Sequence, residues 1–269
     1  MSSLPPAREQ SNPIRSTSAA NVPYVEWETF LADFLRHYQQ DEHVSLLGPT
    51  KTGKTTLAIE ILEARECVIA LATKPEDPTA KRFVELGYRV QEHLDIPTVE
   101  TDGGRMVPHP RFRRVLLWPR QEQDAKTGRW RSMEAMAVYQ QSAIRDALEY
   151  ARRSRRWTIF TDDVLYLVDD LQLGQKLKWF WRQGRSAKLT LVAASQRPAW
   201  VPRDMYSAPE HLFFWKTNDK DDLDRLTDIG AGIDKKELAS VITSLERYEF
   251  LYLAPREHPP LMLRSKVDL

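Results

Sequence analysis

The residues best placed to do chemistry stand at positions 48–55, where Gly48-Pro49-Thr50-Lys51-Thr52-Gly53-Lys54-Thr55 fits the pattern G-x-x-x-x-G-K-[ST] at every fixed position. A loop that wraps a phosphate must turn its backbone N–H groups inward. Glycine at both ends permits backbone conformations that a Cβ atom would hinder. A helix that begins at the lysine aims its free amides, and the positive end of its dipole, at the same anion. Lys54 adds a flexible cation for β- and γ-phosphates, the Thr55 hydroxyl is suited to ligate magnesium, and Thr56 completes the cradle. A glycine turn with a solvated lysine would not need the strand before it and the helix after it, both of which the sequence supplies.

A second group ends the apolar run Trp157-Thr158-Ile159-Phe160-Thr161 with Asp162-Asp163. An apolar strand that ends in an acid delivers a carboxylate to the carboxyl edge of a sheet, where phosphates lie. Asp162 is expected to hold magnesium through water, from a strand end neighbouring the lysine loop. Asp163 is expected to orient or deprotonate the attacking water, its short side chain acting through a bridging water. The same two acids also suit the cap of the following helix, and one pair can do both. A third group, Ser195-Gln196-Arg197-Pro198, begins where the run Leu189 to Ala194 stops. Gln196 there can hydrogen-bond a γ-phosphate or the water that attacks it, or simply satisfy its own loop.

These groups need a frame. Apolar residues at Trp27, Phe30, Leu31, Phe34, Leu35 and Tyr38 recur at helical spacing and predict a helix before the first strand, 44–47. Helices are predicted over 54–65, 79–86, 133–153, 168–183, 219–228 and 234–245. Strands are predicted at 67–72, 114–118, 157–161, 189–194, 211–215, 248–253 and 261–265. The stretch 97–110, with Gly103-Gly104, reads as turns, and 119–131 reads as a polar loop. Strands alternating with helices predict an α/β fold, a mostly parallel sheet with helices on both faces. Three segments follow: a flexible N-terminal arm over 1–22, rich in Ser and Pro, a helical lead-in over 23–43, and a P-loop domain over 44–269.

Composition narrows the setting. The lone cysteine, Cys67, excludes an internal disulfide and fits a reducing compartment. No apolar run approaches the ~18 residues that span a bilayer, and the first 25 residues carry no apolar core of a signal peptide. A cytoplasmic protein is expected. The net charge of +1 excludes a uniformly basic face, so any nucleic-acid contact must be local. The histidines show no metal-ligand spacing, and no Asn-Lys-x-Asp tetrad for guanine is present, which favours ATP.

The loop at 48–55, the acids at 162–163 and Ala194-Ser195-Gln196-Arg197-Pro198 together resemble the HerA/FtsK superfamily of DNA-pumping ATPases. Trp181-Arg182-Gln183-Gly184-Arg185-Ser186-Ala187 is similar to the stretch that precedes that family's Thr-Gln-Arg-Pro motif, with Ser195 in place of the threonine. The small size looks most like the packaging ATPases of tailless, membrane-containing viruses. The resemblance implies a RecA-like P-loop NTPase core and a homo-oligomeric ring, commonly a hexamer, with ATP and Mg2+ at each subunit boundary. It also implies a neighbour's γ-phosphate reached by Arg185 or Arg182, with Arg197 as a third candidate. The implied activity is ATP hydrolysis that translocates double-stranded DNA without reading its sequence, into a capsid or at a portal vertex. A plasmid or conjugative translocase, and a nucleotide-gated assembly switch without translocation, remain the alternatives. Two loops hold cations suited to DNA phosphates, Arg105 to Arg114 and Lys126-Thr127-Gly128-Arg129-Trp130-Arg131.

Overall fold

The computed structural model describes residues 22–124, 127–228 and 233–268. Of the arm expected over 1–22, all but the buried Val22 lie outside the described residues, as does Lys126.

The apolar spacing at the start folds as predicted into α1 (Trp27–His37), whose Phe30 and Phe34 are buried. Then follow β1 (Val44–Leu47), α2 (Lys54–Glu63), β2 (Val68–Leu71) and α3 (Pro78–Glu85), the last capped by the Asp77 carboxylate on the Thr79 and Ala80 amides. β3 (Arg89–Gln91), β4 (Thr98–Glu100), β5 (Met106–Pro108) and β6 (Arg114–Leu117) precede the long α4 (Met133–Ser154). β7 (Thr158–Thr161), α5 (Gly174–Gln183), β8 (Thr190–Ser195), the single turn α6 (Asp204–Ser207) and β9 (His211–Trp215) come next. α7 (Lys220–Thr227), α8 (Lys235–Ser244), β10 (Glu249–Ala254) and β11 (Leu261–Lys266) complete the chain.

Nine strands make one sheet, ordered β11-β10-β9-β1-β8-β7-β2-β6-β3. All pairs are parallel except β9–β10 and β10–β11. Alternation along the strands divides the core in two. Leu47, Ile69, Ile159, Leu191, Ala193 and Phe214 face α4, α5, α7 and α8, whereas Leu46, Ala70, Phe160, Val192 and Phe213 face α1, α2 and α3. Central strands buried on both faces are apolar throughout, as parallel strands under two helical layers must be. The expected architecture is therefore the one that forms.

Two expectations change. The helix predicted over 168–183 is interrupted: Tyr166–Asp170 forms a π-helical turn, Gln172 takes a positive φ of 52°, and α5 starts only at Gly174. The Leu173 amide donates back to the Leu167 carbonyl at 2.8 Å, which closes the turn before α5 begins. The turn-rich stretch 97–110 contains the hairpin β4–β5, reversed through Gly104 at φ 73°. Three-residue strands that are largely exposed carry no periodicity to read.

Candidate functional site

The glycine-rich loop leaves the carboxyl end of β1 and is pinned from behind. The Gly48 amide donates to the Ser195 carbonyl of β8 at 3.2 Å. A Cβ on Gly48 would lie 2.7 Å from the Cβ of Trp215, at the end of β9, closer than packing allows. Gly53 has φ 100° and sits against Val267, whose side chain would be 3.0–3.3 Å from an added Cβ. Both glycines are therefore demanded by packing as well as by the turn.

Lys54, the first residue of α2, is buried, and its Nζ points back into its own loop. It donates to the Gly48 carbonyl at 2.6 Å and to the Pro49 carbonyl. Burial pushes its pKa down to about 8, with the Asp162 charge acting in the opposite sense. The Thr52 hydroxyl donates to the Pro49 carbonyl at 2.9 Å and so tightens the loop. Thr50 and Lys51 are exposed, and Lys51 takes a positive φ of 58°. Thr55 is half-buried in the first turn of α2, while Thr56 accepts a hydrogen bond from Arg82 of α3 at 3.2 Å.

The acids lie at the carboxyl end of β7. Contrary to the neighbouring strand ends expected from the sequence, lysine loop and acids come from strands that are not adjacent: β8 runs between them, with Leu47 beside Ser195 and Thr161 beside Ala193. Ser195-Gln196 is therefore the central element of the edge, and Gln196 stands exposed at its tip. Asp162 accepts from the Thr79 hydroxyl at 3.3 Å. Its pKa is raised, first by burial and then by the Asp77 charge; Lys74 opposes this and Asp163 adds to it. A half-buried carboxylate crowded by two like charges is electrostatically ready for a divalent cation. With the Thr55 hydroxyl it is an oxygen donor set suited to magnesium. Asp163 is half-exposed, 3.8 Å from Lys74, and accepts the Tyr166 amide at 3.4 Å. It thus caps the following turn while keeping an oxygen toward the loop between β2 and α3.

No motif marks that loop in the sequence. Lys74, Asp77 and Thr79 all bear on the acids. The available signal was polar residues crowded between Pro75 and Pro78, directly after a buried strand.

Arg182 and Arg185 lie elsewhere. Arg182, near the end of α5, clasps Asp204 of α6 at 2.7 and 3.3 Å. Arg185 precedes β8 and pairs at 2.9 Å with Glu210, which precedes β9. Both stand at the amino edge of the sheet, across the length of β1, roughly 13 Å, from the lysine loop. Neither can serve the phosphate loop of its own chain. Arg197 is at the carboxyl edge, 3.6 Å from Asp219 and over the Trp200 ring.

The two cationic loops are only partly available. Arg113 pairs with Glu66 at 2.6 Å, and Arg114 donates to the carbonyls of Glu63 and Arg65. Arg131 lies over the Tyr139 ring at 4.2 Å and donates to the Gln121 and Gln123 carbonyls. Arg105, Arg111, Arg129 and Trp130 remain exposed. No helix among the described residues is long and apolar enough to cross a membrane.

No protein-family model matches the sequence, and no curated protein matches it. Solved structures do. B204, the DNA-packaging ATPase from Sulfolobus Turreted Icosahedral Virus, is 15% identical and superposes with a TM-score of 0.57 over 86% of this chain and all of that one. The genome packaging NTPase B204 from Sulfolobus turreted icosahedral virus 2, solved with ATP-gammaS, is also 15% identical, with a TM-score of 0.53 over 86% of this chain and all of that one. VirB4 of Thermoanaerobacter pseudethanolicus is 13% identical, with a TM-score of 0.57 over 84% of this chain and 89% of that one. At such identities the shared property is the fold, a RecA-like P-loop core.

Proposed function

We propose that this chain is an ATP hydrolase that works as a homo-oligomeric ring and translocates or packages double-stranded DNA. The observation that carries it is the carboxyl edge itself. A lysine buried without an anionic hydrogen-bond partner points into a glycine-hinged loop, and a crowded carboxylate lies two strands away on the same edge. In binding ATP, Lys54 exchanges the carbonyls of Gly48 and Pro49 for phosphate oxygens, and the amides of the loop and of α2 follow it. Thr55 and Asp162 would hold magnesium, which would supply charge neutralisation of the phosphates. Asp163 takes or orients the proton of the attacking water, and Gln196 fixes that water from between the two arms of the site.

The ring is supported by the position of Arg182 and Arg185. Cations at the amino edge can meet a triphosphate only across a subunit boundary, where Arg185 stabilises the charge that develops in transfer. The DNA reading is supported by fold likeness to the viral packaging ATPases and by the exposed Arg105, Arg111 and Arg129, suited to phosphate contact without base readout. Residence in a host cytoplasm or at a capsid vertex belongs to the same reading.

The test is ATP turnover by the full chain with and without duplex DNA. Stimulation by DNA is expected, with the Lys54→Ala variant slower by about 10²-fold or more. Turnover indifferent to duplex DNA would overturn the motor, and turnover intact in Lys54→Ala would overturn the site.

A further inference from the structure

One turn of α4 grips the loops at three neighbouring strand ends. Its central residue is Gln140, only 2% exposed, on the face that α4 otherwise fills with Ala143, Ile144, Ala147 and Leu148. The amide nitrogen donates to the Thr73 carbonyl after β2 at 2.6 Å and to the Pro119 carbonyl after β6 at 3.2 Å. The amide oxygen accepts the Tyr166 phenol, after β7, at 2.8 Å. β7, β2 and β6 stand side by side in the sheet, so one side chain spans three consecutive arms of the carboxyl edge. We infer that Gln140, acting through Tyr166, is a positioning residue that couples the cationic loop after β6 to Asp163, so that duplex DNA at that loop speeds the attack of water on ATP. This rests on the reading of the chain as a DNA-stimulated ATP hydrolase, and adds the route by which stimulation reaches the water.

Toward the nucleotide, the route ends on Asp163 from two sides. The Tyr166 amide donates to that carboxylate at 3.4 Å, and Thr73 adjoins Lys74, which stands 3.8 Å from it. Tyr166 also opens the π-helical turn, and the next residue of α4, Gln141, holds the far side of that turn through the Leu171 carbonyl at 2.9 Å. Such turns are rare and recur at functional sites. Toward the DNA, Pro119 begins the loop that carries the exposed Arg129 and Trp130. The preceding residue of α4, Tyr139, steadies that loop. Its ring lies under Arg131 at 4.2 Å, and its hydroxyl donates at 3.1 Å to Glu92, which in turn accepts the Arg120 and Gln121 amides.

The chemistry at position 140 favours transmission over packing. An apolar residue would fill the same space with less desolvation. Gln140 instead commits both N–H donors and its oxygen to groups from three different loops. A buried network satisfied in this way is stiff. A shift of the loop at Pro119 therefore moves the amide, and the amide moves the phenol and Asp163 beyond it, along contiguous hydrogen bonds.

The experiment measures steady-state ATP turnover by the full chain with and without duplex DNA, and the melting temperature of each preparation. It compares the unaltered protein with Tyr166→Phe, Gln140→Met, Arg129→Ala and the double variant that joins Tyr166→Phe to Arg129→Ala. Tyr166→Phe keeps the ring and removes one O–H. Its melting temperature should stay within about 2 °C and its KM for ATP within about twofold. Its stimulation by DNA, the ratio of the two kcat values, should fall by about threefold to tenfold. Gln140→Met should lose at least as much, with a lower melting temperature because both carbonyls lose their donor. Arg129→Ala should lose stimulation as well. The double variant should lose no more than the larger single loss, because both changes act on one route. The coupling is overturned, and the motor stands, if Tyr166→Phe keeps full stimulation or lowers both rates by the same factor. A loss that multiplies with that of Arg129→Ala has the same meaning. Full stimulation in Arg129→Ala also overturns it, by taking that loop off the route. If DNA does not stimulate the unaltered chain, the motor reading fails and takes the coupling with it.

Discussion

The two edges of the central sheet treat charge in opposite ways. At the amino edge the acids and bases are matched. Glu210, nearly buried, receives Arg185 and Arg256 at 2.9 Å each and the His43 amide at 2.8 Å; Arg182 clasps Asp204, Lys188 meets Asp41, and Arg113 meets Glu66. At the carboxyl edge two charges, Lys54 and Asp162, are left wanting. Lys54 is buried on neutral carbonyls with a lowered pKa, and Asp162 is half-buried beside other acids with a raised one. One edge pairs its ionic groups within the subunit, and the other holds Lys54 and Asp162 in readiness. Strain in ionisation is what a reactive site is expected to show.

Asp162 carries the largest difference between the two edges. A carboxyl group whose native pKa lies above its unfolded value favours the fold only while protonated, so that contribution is lost as pH rises through the native pKa. At neutral pH its ionised form therefore costs stability. Asp162→Asn keeps an acceptor for Thr79 and removes the charge. Turnover should fall by about 10²- to 10³-fold while the melting temperature rises by about 2–4 °C. Steady-state rates and a thermal scan of the same preparation check both. A fall in melting temperature would place Asp162 with the structural charges.

Glu210 is the mirror case. Glu210→Ala strips two arginines of their partner and leaves the buried His43 amide without an acceptor. It should cost about 2–4 kcal/mol in urea unfolding. Glu210→Gln, which retains an acceptor, should cost less. A near-neutral Glu210→Ala would mean that the amino edge is not the buttress described here.

The smallest effect sharpens the picture at Lys54. An ammonium group with a native pKa of about 8 is charged below that pH and loses its proton above it. Bound phosphate favours the charged form, so ATP affinity should be flat in this group's contribution up to pH 8. Above that it should weaken by up to about tenfold per pH unit. Lys54→Arg, always charged, should remove the slope even where it weakens binding. Dissociation constants between pH 7 and 10 decide it.

The strands and most helices were legible because two-sided burial leaves apolar runs and one-sided burial leaves a helical period. The lysine loop was legible because its chemistry is local: eight consecutive residues, 48–55, carry the motif. What stayed hidden was not local. The strand β8 between Lys54 and Asp162 follows from sheet order, which no spacing encodes. Asp77 and Thr79 reach Asp162 only through the pairing of β2 with β7, and the pairing of Arg185 with Glu210 joins residues that precede two different strands. The break before α5 escaped because Leu171 and Leu173 continue an apolar pattern across a backbone that has left the helix.

The contact of Gly53 with Val267 has a consequence for the order of events in the cell. The anion cradle is written early in the chain, but its outer support is translated late. A growing polypeptide therefore displays the motif long before it can hold the motif in shape. Competence for nucleotide would arrive only once Val267 is in place, so that a molecule interrupted before it stays idle.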